Sequence, residues 1–224
     1  MKRQKNRRKH LEQNMYRKQR KIKQLPYYIP TAEIFKLYEK EPLCAFLDSS
    51  LVNDLGQYSV IGRCPYLKLV KDGNNFWING KQEEERSFED YMRKYLMEHE
   101  DSNDTGLPIM SGAIGYFSYD YIKYGEQSLN LNANDEEKFN DVDLMLFDKV
   151  IAFDNYRQKI ILIVNIKVEN LEVNYRKAEI ELKAMADLII NGKKAEERPL
   201  KIKSDYRSYF SKEQYCNMVV KAKE

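Results

Sequence analysis

The sequence is poor in the side chains that build metal centres and disulfide frameworks. It has three cysteines and two histidines, and it contains no Cys-x-x-Cys pair. Structural zinc sites need four such ligands at short spacings, so we expect no metal site. The three cysteines are Cys44, Cys64 and Cys216. Each is interpreted as a small buried apolar residue or as a free thiol in a reducing compartment.

Long apolar runs are also missing. No stretch approaches the length of about 18 apolar residues that predicts a membrane span. The amino terminus has lysines and arginines but no apolar segment of the kind found in a secretory signal. We therefore expect no membrane association and a cytoplasmic location.

What the sequence does contain is enough apolar material for a core. Of its 224 residues, 42% are hydrophobic, and 17 tyrosines and nine phenylalanines stand against a single tryptophan. This composition favours a globular chain with a β-rich interior, in which many phenol groups need polar partners.

Positive charge is concentrated at one end. Residues 1–24 hold 11 lysines or arginines against the single Glu12, whereas the whole chain carries only +3. We predict a basic disordered or helical arm over residues 1–24. A nucleic-acid-binding arm is the less favoured alternative, because no recognised binding motif accompanies the charge.

Alternating apolar residues and turn signals predict strands. They lie at residues 43–47, 57–61, 66–70, 75–78, 142–153 and 159–166, and the last two form a long hairpin through residues 154–157. Apolar periodicity predicts helices. One is capped by Thr31 and ends before Pro42, one runs from Ser87 to about His99, one covers residues 168–190, and one begins at Ser211. A glycine-containing apolar run covers residues 109–119, where a bulge or a close backbone approach is expected.

No complete catalytic constellation is present. Glu126, Asp148 and Asp154 have no histidine nearby in the sequence, so we interpret them as solvated or capping carboxylates. Tyr116 and Tyr119 flank the glycine-containing run and are interpreted as core residues. The residues alone thus predict no catalytic site.

Four blocks in order resemble a known family. They are Phe46–Leu69 (FLDSS followed by LGQYSVIGRCPYLKL), Ser111–Glu126 (SGAIGYFSYDYIKYGE), Asp141–Ile163 and Tyr209–Glu224. Together they are similar to the amino-terminal region of the chorismate-utilising enzymes, namely component I of aminodeoxychorismate synthase and of anthranilate synthase. The Phe-Leu-Asp-Ser form of the first block favours the aminodeoxychorismate branch, with anthranilate synthase as the alternative.

The resemblance implies an α+β fold of antiparallel sheets with packed helices. The expected domains are the arm 1–24, a component I amino-terminal domain over 25–203, and the truncated start of the chorismate-binding domain over 204–224. The full-length family enzymes aminate chorismate with Mg²⁺ and with ammonia from a glutaminase partner subunit. The resemblance places the catalytic residues and Mg²⁺ ligands beyond Glu224, so this chain alone is expected to be inactive and poorly soluble.

The resemblance also implies a tryptophan-type effector pocket. Its residues here would be Asp48, Ser49, Leu55, Gly56, Gln57 and Tyr58. A carboxylate and a hydroxyl can hold an ammonium group, whereas Gln57 replaces an arginine common in the family. A polar strand end without a ligand and a stand-alone tryptophan-binding module are the alternatives.

Overall fold

The computed structural model describes residues 18–25, 29–38, 41, 43–49, 57–99, 107, 111–126, 128–129, 136–193 and 199–224. Its helices are α1 (Thr31–Phe35), α2 (Phe88–Glu98), α3 (Leu171–Asn191) and α4 (Lys212–Lys223), with short 3₁₀ turns at Lys36–Tyr38 and Tyr119–Tyr124. Its strands are β1 (Lys18–Gln24), β2 (Cys44–Leu47), β3 (Tyr58–Arg63), β4 (Leu67–Asp72), β5 (Asn75–Ile78), β6 (Lys81–Gln82), β7 (Gly112–Phe117), β8 (Val142–Phe147), β9 (Lys149–Asp154) and β10 (Lys159–Lys167).

These strands form two antiparallel five-stranded sheets. Sheet A has the order β1-β10-β9-β3-β2, and sheet B has the order β6-β5-β4-β8-β7. The α+β class expected from the sequence is confirmed. No helix among the described residues is both long enough and apolar enough to cross a bilayer.

One two-stranded ribbon runs through both sheets. In sheet A, β3 pairs with β9, and in sheet B, β4 pairs with β8. The ribbon passes from one sheet to the other between the pairs Arg63↔Lys149 and Leu67↔Leu146. Both of its strands are therefore shared by the two sheets, which fixes the position of one sheet relative to the other.

Each sheet buries one face against a helix. In sheet A, Ile151, Phe153 and Leu162 pack against the apolar stripe of α3, which includes Leu182 and Met185. In sheet B, the core is completed by α2 through Phe88, Tyr91, Met92 and Tyr95. The apolar faces predicted for both helices are thus confirmed, except at Leu96, Leu171 and Tyr175, which are exposed.

The start of a helix was predicted correctly where the N-cap side chain bonds a residue three positions later. The Oγ of Ser87 accepts a hydrogen bond from the amide of Asp90 over 3.1 Å. Ser211 and Gln214 form the reciprocal capping box expected from their spacing. Thr31 differs: it is the first helical residue, the cap position is Pro30, and no side chain caps α1.

Two other predictions need correction. The apolar run 142–153 is not one strand but two, because its pairing partner changes from β4 to β3 at Asp148.

The predicted arm is described only from Lys18, and Lys18–Gln24 form strand β1 beside β10, so a disordered or helical state is wrong for residues 18–24. Residues 1–17 lie outside the described part of the chain.

The expected core position of two tyrosines is also wrong. Tyr119 is 91% exposed and Tyr116 is exposed as well. Tyr116 belongs to β7, which among the described residues pairs only with β8 at the edge of sheet B, and Tyr119 lies beyond the strand in the 3₁₀ turn Tyr119–Tyr124. The predicted close approach at Gly115 is confirmed, because a Cβ there would lie 1.9 Å from the carbonyl oxygen of Asp143.

Candidate functional site

Three segments meet at one end of sheet A. The register of β2 and β3 pairs Leu47 with Val60, so the chain leaving β2 at Asp48 lies beside Ser59. The register of β3 and β9 pairs Tyr58 with Asp154, which brings the turn after β9 to the same place. Residues of the predicted pocket are thus joined by residues far away in the sequence.

Ser59 is the centre of this arrangement. Its side chain is completely buried. Its Oγ donates to Oδ1 of Asp48 over 2.8 Å and accepts from the amide of Ser49 and from Nδ2 of Asn155, both over 3.0 Å. A hydroxyl has one proton and two lone pairs, so these three bonds satisfy it. We call Thr31, Asp48, Ser49, Ser59 and Asn155 the Ser59 cluster.

Asp48 keeps one carboxylate oxygen available. Its Oδ1 also accepts from Oγ1 of Thr31 over 2.9 Å, whereas no bond from a described residue reaches its Oδ2. The residue is exposed. Asp48 can therefore bind a cationic group at Oδ2 while two hydroxyls hold its orientation at Oδ1.

Ser49 is held by the backbone of β3. Its Oγ donates to the carbonyl oxygen of Tyr58 over 2.6 Å. The hydroxyl predicted to meet a ligand ammonium is therefore engaged with the sheet. Its structural role is to tie the end of β2 to the start of β3.

Gln57 and Tyr58 belong to a second polar group beside the cluster. The Nε2 of Gln57 donates to Oδ1 of Asp154 and to the phenol oxygen of Tyr58, each over 3.2 Å. Arg157 donates to the same carboxylate through its amide over 2.8 Å and through its guanidinium over 3.1 Å. The side chain of Arg157 remains 60% exposed and is thus able to meet a ligand.

These bonds set the charge of Asp154. The residue is buried, and burial by itself raises the pKa of a carboxyl group. The hydrogen bonds from the Arg157 amide, Gln57 and the Arg157 guanidinium outweigh burial and lower its pKa below the ordinary value. Asp154 is thus an ionised carboxylate that caps a turn, which confirms the capping role and excludes the solvated one.

The structure brings together four of the six predicted site residues: Asp48, Ser49, Gln57 and Tyr58. Leu55 and Gly56 lie outside the described residues. Sequence reasoning missed Thr31, Ser59 and Asn155 as partners of Asp48. The one available signal was Ser59, a polar residue in the apolar strand segment before Val60 and Ile61.

A metal site requires several ligand side chains close together. Among the described residues, no three histidine, cysteine, aspartate or glutamate side chains lie close enough together to hold a metal ion. The residues in this part of the chain therefore do not fit the Mg²⁺ that the resemblance implies. Cys44, Cys64 and Cys216 are free thiols.

Known proteins resemble this chain over most of its length. The sequence profile of the family described as chorismate binding enzyme matches residues 52–224. Anthranilate synthase component 1 of Acetivibrio thermocellus is 30% identical over 205 residues, which are 85% of this chain and 41% of that protein. The protein of the same name from Saccharomyces cerevisiae is 32% identical over 174 residues, which are 75% and 33% of the two chains.

A solved structure supports the fold. Anthranilate synthase component I from Streptococcus pneumoniae TIGR4 superposes with a TM-score of 0.52 at 18% sequence identity, covering 77% of this chain and 38% of that one. At this identity the likeness shows the fold alone. The chain spans 41% or less of the length of these relatives.

Proposed function

The chain belongs to the family of chorismate binding enzymes, and we propose that it forms the amino-terminal portion of an anthranilate synthase component I. The observation that carries this proposal is the match of relatives with that name over 75–85% of the chain. The larger enzyme would aminate chorismate with ammonia supplied by a glutaminase subunit and with Mg²⁺ held outside the described residues. This portion would position and regulate the catalytic half without contributing a catalytic group.

A second candidate reaction is the formation of aminodeoxychorismate, the step towards 4-aminobenzoate and folate. It is favoured by the segment Phe46-Leu47-Asp48-Ser49. Expression of the complete reading frame that encodes this chain, followed by assay with chorismate, Mg²⁺ and ammonia, tests both. We expect anthranilate as the product by mass spectrometry. Aminodeoxychorismate would assign the chain to the second branch, and absence of any amination would refute both.

The proposed regulatory role rests on the Ser59 cluster, which would bind tryptophan. The ligand ammonium would contact Oδ2 of Asp48, the oxygen left available by Thr31 and Ser59. We expect an indole to contact the half-buried ring of Tyr58, whose phenol oxygen accepts from Gln57 in the neighbouring polar group. The hydroxyls of the cluster hold the carboxylate in place before the ligand arrives, which lowers the entropy cost of binding.

Arg157 is our candidate for the ligand carboxylate. Gln57 stands where an arginine is common, and its amide is already bound to Asp154 and Tyr58. Arg157 is held by Asp154 at the same end of sheet A, and a guanidinium binds a carboxylate through two parallel hydrogen bonds. A cation supplied by the β9–β10 turn would thus compensate for the missing arginine.

Isothermal titration calorimetry with L-tryptophan tests the regulatory proposal. We expect Asp48→Asn and Arg157→Gln to weaken binding at least about tenfold, a loss of about 1.4 kcal/mol. Asp187→Asn and Arg176→Gln are matched controls on exposed positions of α3, and they should leave the affinity unchanged. No binding heat at millimolar L-tryptophan would refute tryptophan binding and leave the family assignment intact.

A further inference from the structure

A cavity of about 1010 Å³ lies between α2 and α3, on the side of the molecule where the ribbon passes between the sheets. Its walls come from α2, from the end of β10 and from α3, and it shares no residue with the Ser59 cluster. Its volume is at the upper end of the range for sites of small organic ligands. We infer that this α2–α3 cavity binds a nucleoside phosphate, with the base on α2 and the phosphate beside Lys167 and Lys177.

The α2 wall of the cavity is aromatic. Tyr91, Tyr95 and His99 follow one another at intervals of four residues and therefore lie on one face of the helix. The rings of Tyr91 and Tyr95 are stacked at 6.2 Å, and those of Tyr95 and His99 at 3.9 Å with an interplanar angle of 11°. Because these rings face one another, the column presents its ring edges to the cavity, and a planar base can contact such edges in the T-shaped arrangement that aromatic rings favour.

The opposite wall carries lysines that have no ion pair among the described residues, and the carboxylates of Glu98, Asp148 and Glu181 also line the cavity. Lys167 at the end of β10 and Lys177 on α3 both line the cavity, and neither forms an ion pair with a residue that the structure describes. By contrast, Lys149 lies 3.7 Å from Glu181. Asn174 of α3 donates to the carbonyl oxygen of Lys167 over 3.1 Å, which joins the end of β10 to the helix.

Two lysines without an ion pair among the described residues favour a phosphate over a single carboxylate. A phosphate monoester carries a charge between −1.5 and −2 near neutral pH and offers three acceptor oxygens. A small aromatic carboxylate would use only one lysine and would leave much of the volume unfilled. The sugar of a nucleotide would connect a base on the aromatic wall to a phosphate on the lysine-bearing wall.

Titration calorimetry of the chain with adenosine monophosphate tests this inference, with adenosine and inorganic phosphate as separate ligands. We expect the nucleotide to bind at least tenfold more tightly than either part alone. Lys177→Glu should weaken nucleotide binding at least tenfold. Lys183→Glu places the same change on an exposed residue of the same helix that does not line the cavity, and it should have no effect.

Three results would overturn the inference. One is adenosine binding as tightly as the nucleotide, and another is an equal loss of affinity in Lys177→Glu and Lys183→Glu. The third is binding of a short single-stranded oligonucleotide without binding of the mononucleotide, which would reassign the cavity to nucleic acid. Circular dichroism of both variants separates loss of the site from loss of the fold. A negative outcome leaves the proposed chorismate function untouched, since that proposal uses none of these residues.

Discussion

The Oγ of Ser59 lies 2.8 Å from Oδ1 of Asp48, and this hydrogen bond ties the end of β2 to the start of β3. The same oxygen accepts from the amide of Ser49 and from the side chain of Asn155. One buried hydroxyl therefore joins three separate segments of the chain at the candidate effector site.

Replacement of Ser59 by alanine should destabilise the protein by about 2 kcal/mol, because it leaves several polar groups without their partner. Urea unfolding followed by circular dichroism measures this change. Ser204→Ala removes an exposed hydroxyl and should shift the free energy of unfolding by less than about 0.5 kcal/mol. Equal stability of the two variants would show that Ser59 does not hold the cluster together.

Gly115→Ala should be strongly destabilising, by about 3 kcal/mol, because the added Cβ would lie 1.9 Å from the carbonyl oxygen of Asp143. Strand β7 would have to separate from β8 to relieve this contact. Gly125→Ala is the control, since the nearest atom to its Cβ is 3.8 Å away and its φ is −96°. Its effect should be below about 1 kcal/mol. An unchanged urea midpoint for Gly115→Ala would contradict the observed register of β7.

Asp141 should make stability depend on pH in the acid range. Burial alone would raise the pKa of its carboxyl group, but hydrogen bonds from Lys123, Tyr124 and the amide of Gly73 outweigh burial and lower it. A lowered folded pKa stabilises the protein above the unfolded value of about 3.9, and that stabilisation disappears as the pH falls through the folded value.

We therefore expect Asp141→Asn to cost about 2 kcal/mol at neutral pH and progressively less below about pH 4. Unfolding curves of both proteins between pH 3 and pH 8 measure the difference. Asp143→Asn removes a more exposed carboxylate, which lies 3.3 Å from Lys68. It should cost less than about 1 kcal/mol. A difference for Asp141→Asn that stays constant down to pH 3 would show that Asp141 is not held ionised.

Tyr38→Phe should leave the protein as stable or make it more stable at pH 7, by up to about 1 kcal/mol. The ring is completely buried, and its hydroxyl has no hydrogen-bond partner among the described residues. Removing an unsatisfied buried hydroxyl removes a desolvation cost. Tyr121→Phe is the contrasting variant, because its hydroxyl donates to Glu89 over 2.9 Å, and it should lose about 1 kcal/mol.

The same residue should also affect alkaline stability. Burial raises the pKa of Tyr38 to about 12, although the nearby Arg63 guanidinium opposes the shift. The unfolded phenol loses its proton near pH 10, so the wild-type protein loses stability as the pH rises from about 10 towards 12. Tyr38→Phe should show a smaller loss over this interval in thermal unfolding curves. Parallel curves for the two proteins would place the ionisation elsewhere.

The parts of the fold that could be predicted are those determined by neighbouring residues. The starts of α2 and α4 depend on Ser87 and Ser211 and on side chains three positions later, so the sequence shows them directly. The break at Asp148 could not be predicted in this way. The two polar residues Asp148 and Lys149 interrupt the apolar run, but it is the change of partner from β4 to β3 that separates β8 from β9.

Only part of the candidate site could be predicted from the sequence. Asp48 and Ser49 were proposed because the surrounding segment resembles a family. Their partners Thr31 and Asn155 depend on register and tertiary packing between distant segments, which a local pattern does not contain. For the same reason Thr31 was assigned to a helix cap, the commonest local use of a threonine hydroxyl, although it donates to Asp48 instead.

The ribbon through both sheets also determines how the chain must fold. Leu67 pairs with Leu146, 79 residues later, and Tyr58 pairs with Asp154 at a still larger separation. Such distant pairings slow folding, because the entropy cost of closing the loop precedes any gain from the contacts. At translation rates of about 5–20 residues per second, β4 would wait about 4–16 s for β8 to be synthesised. During that interval its apolar face and unpaired edge are exposed, and a chaperone or a rapid binding partner has its best opportunity to act.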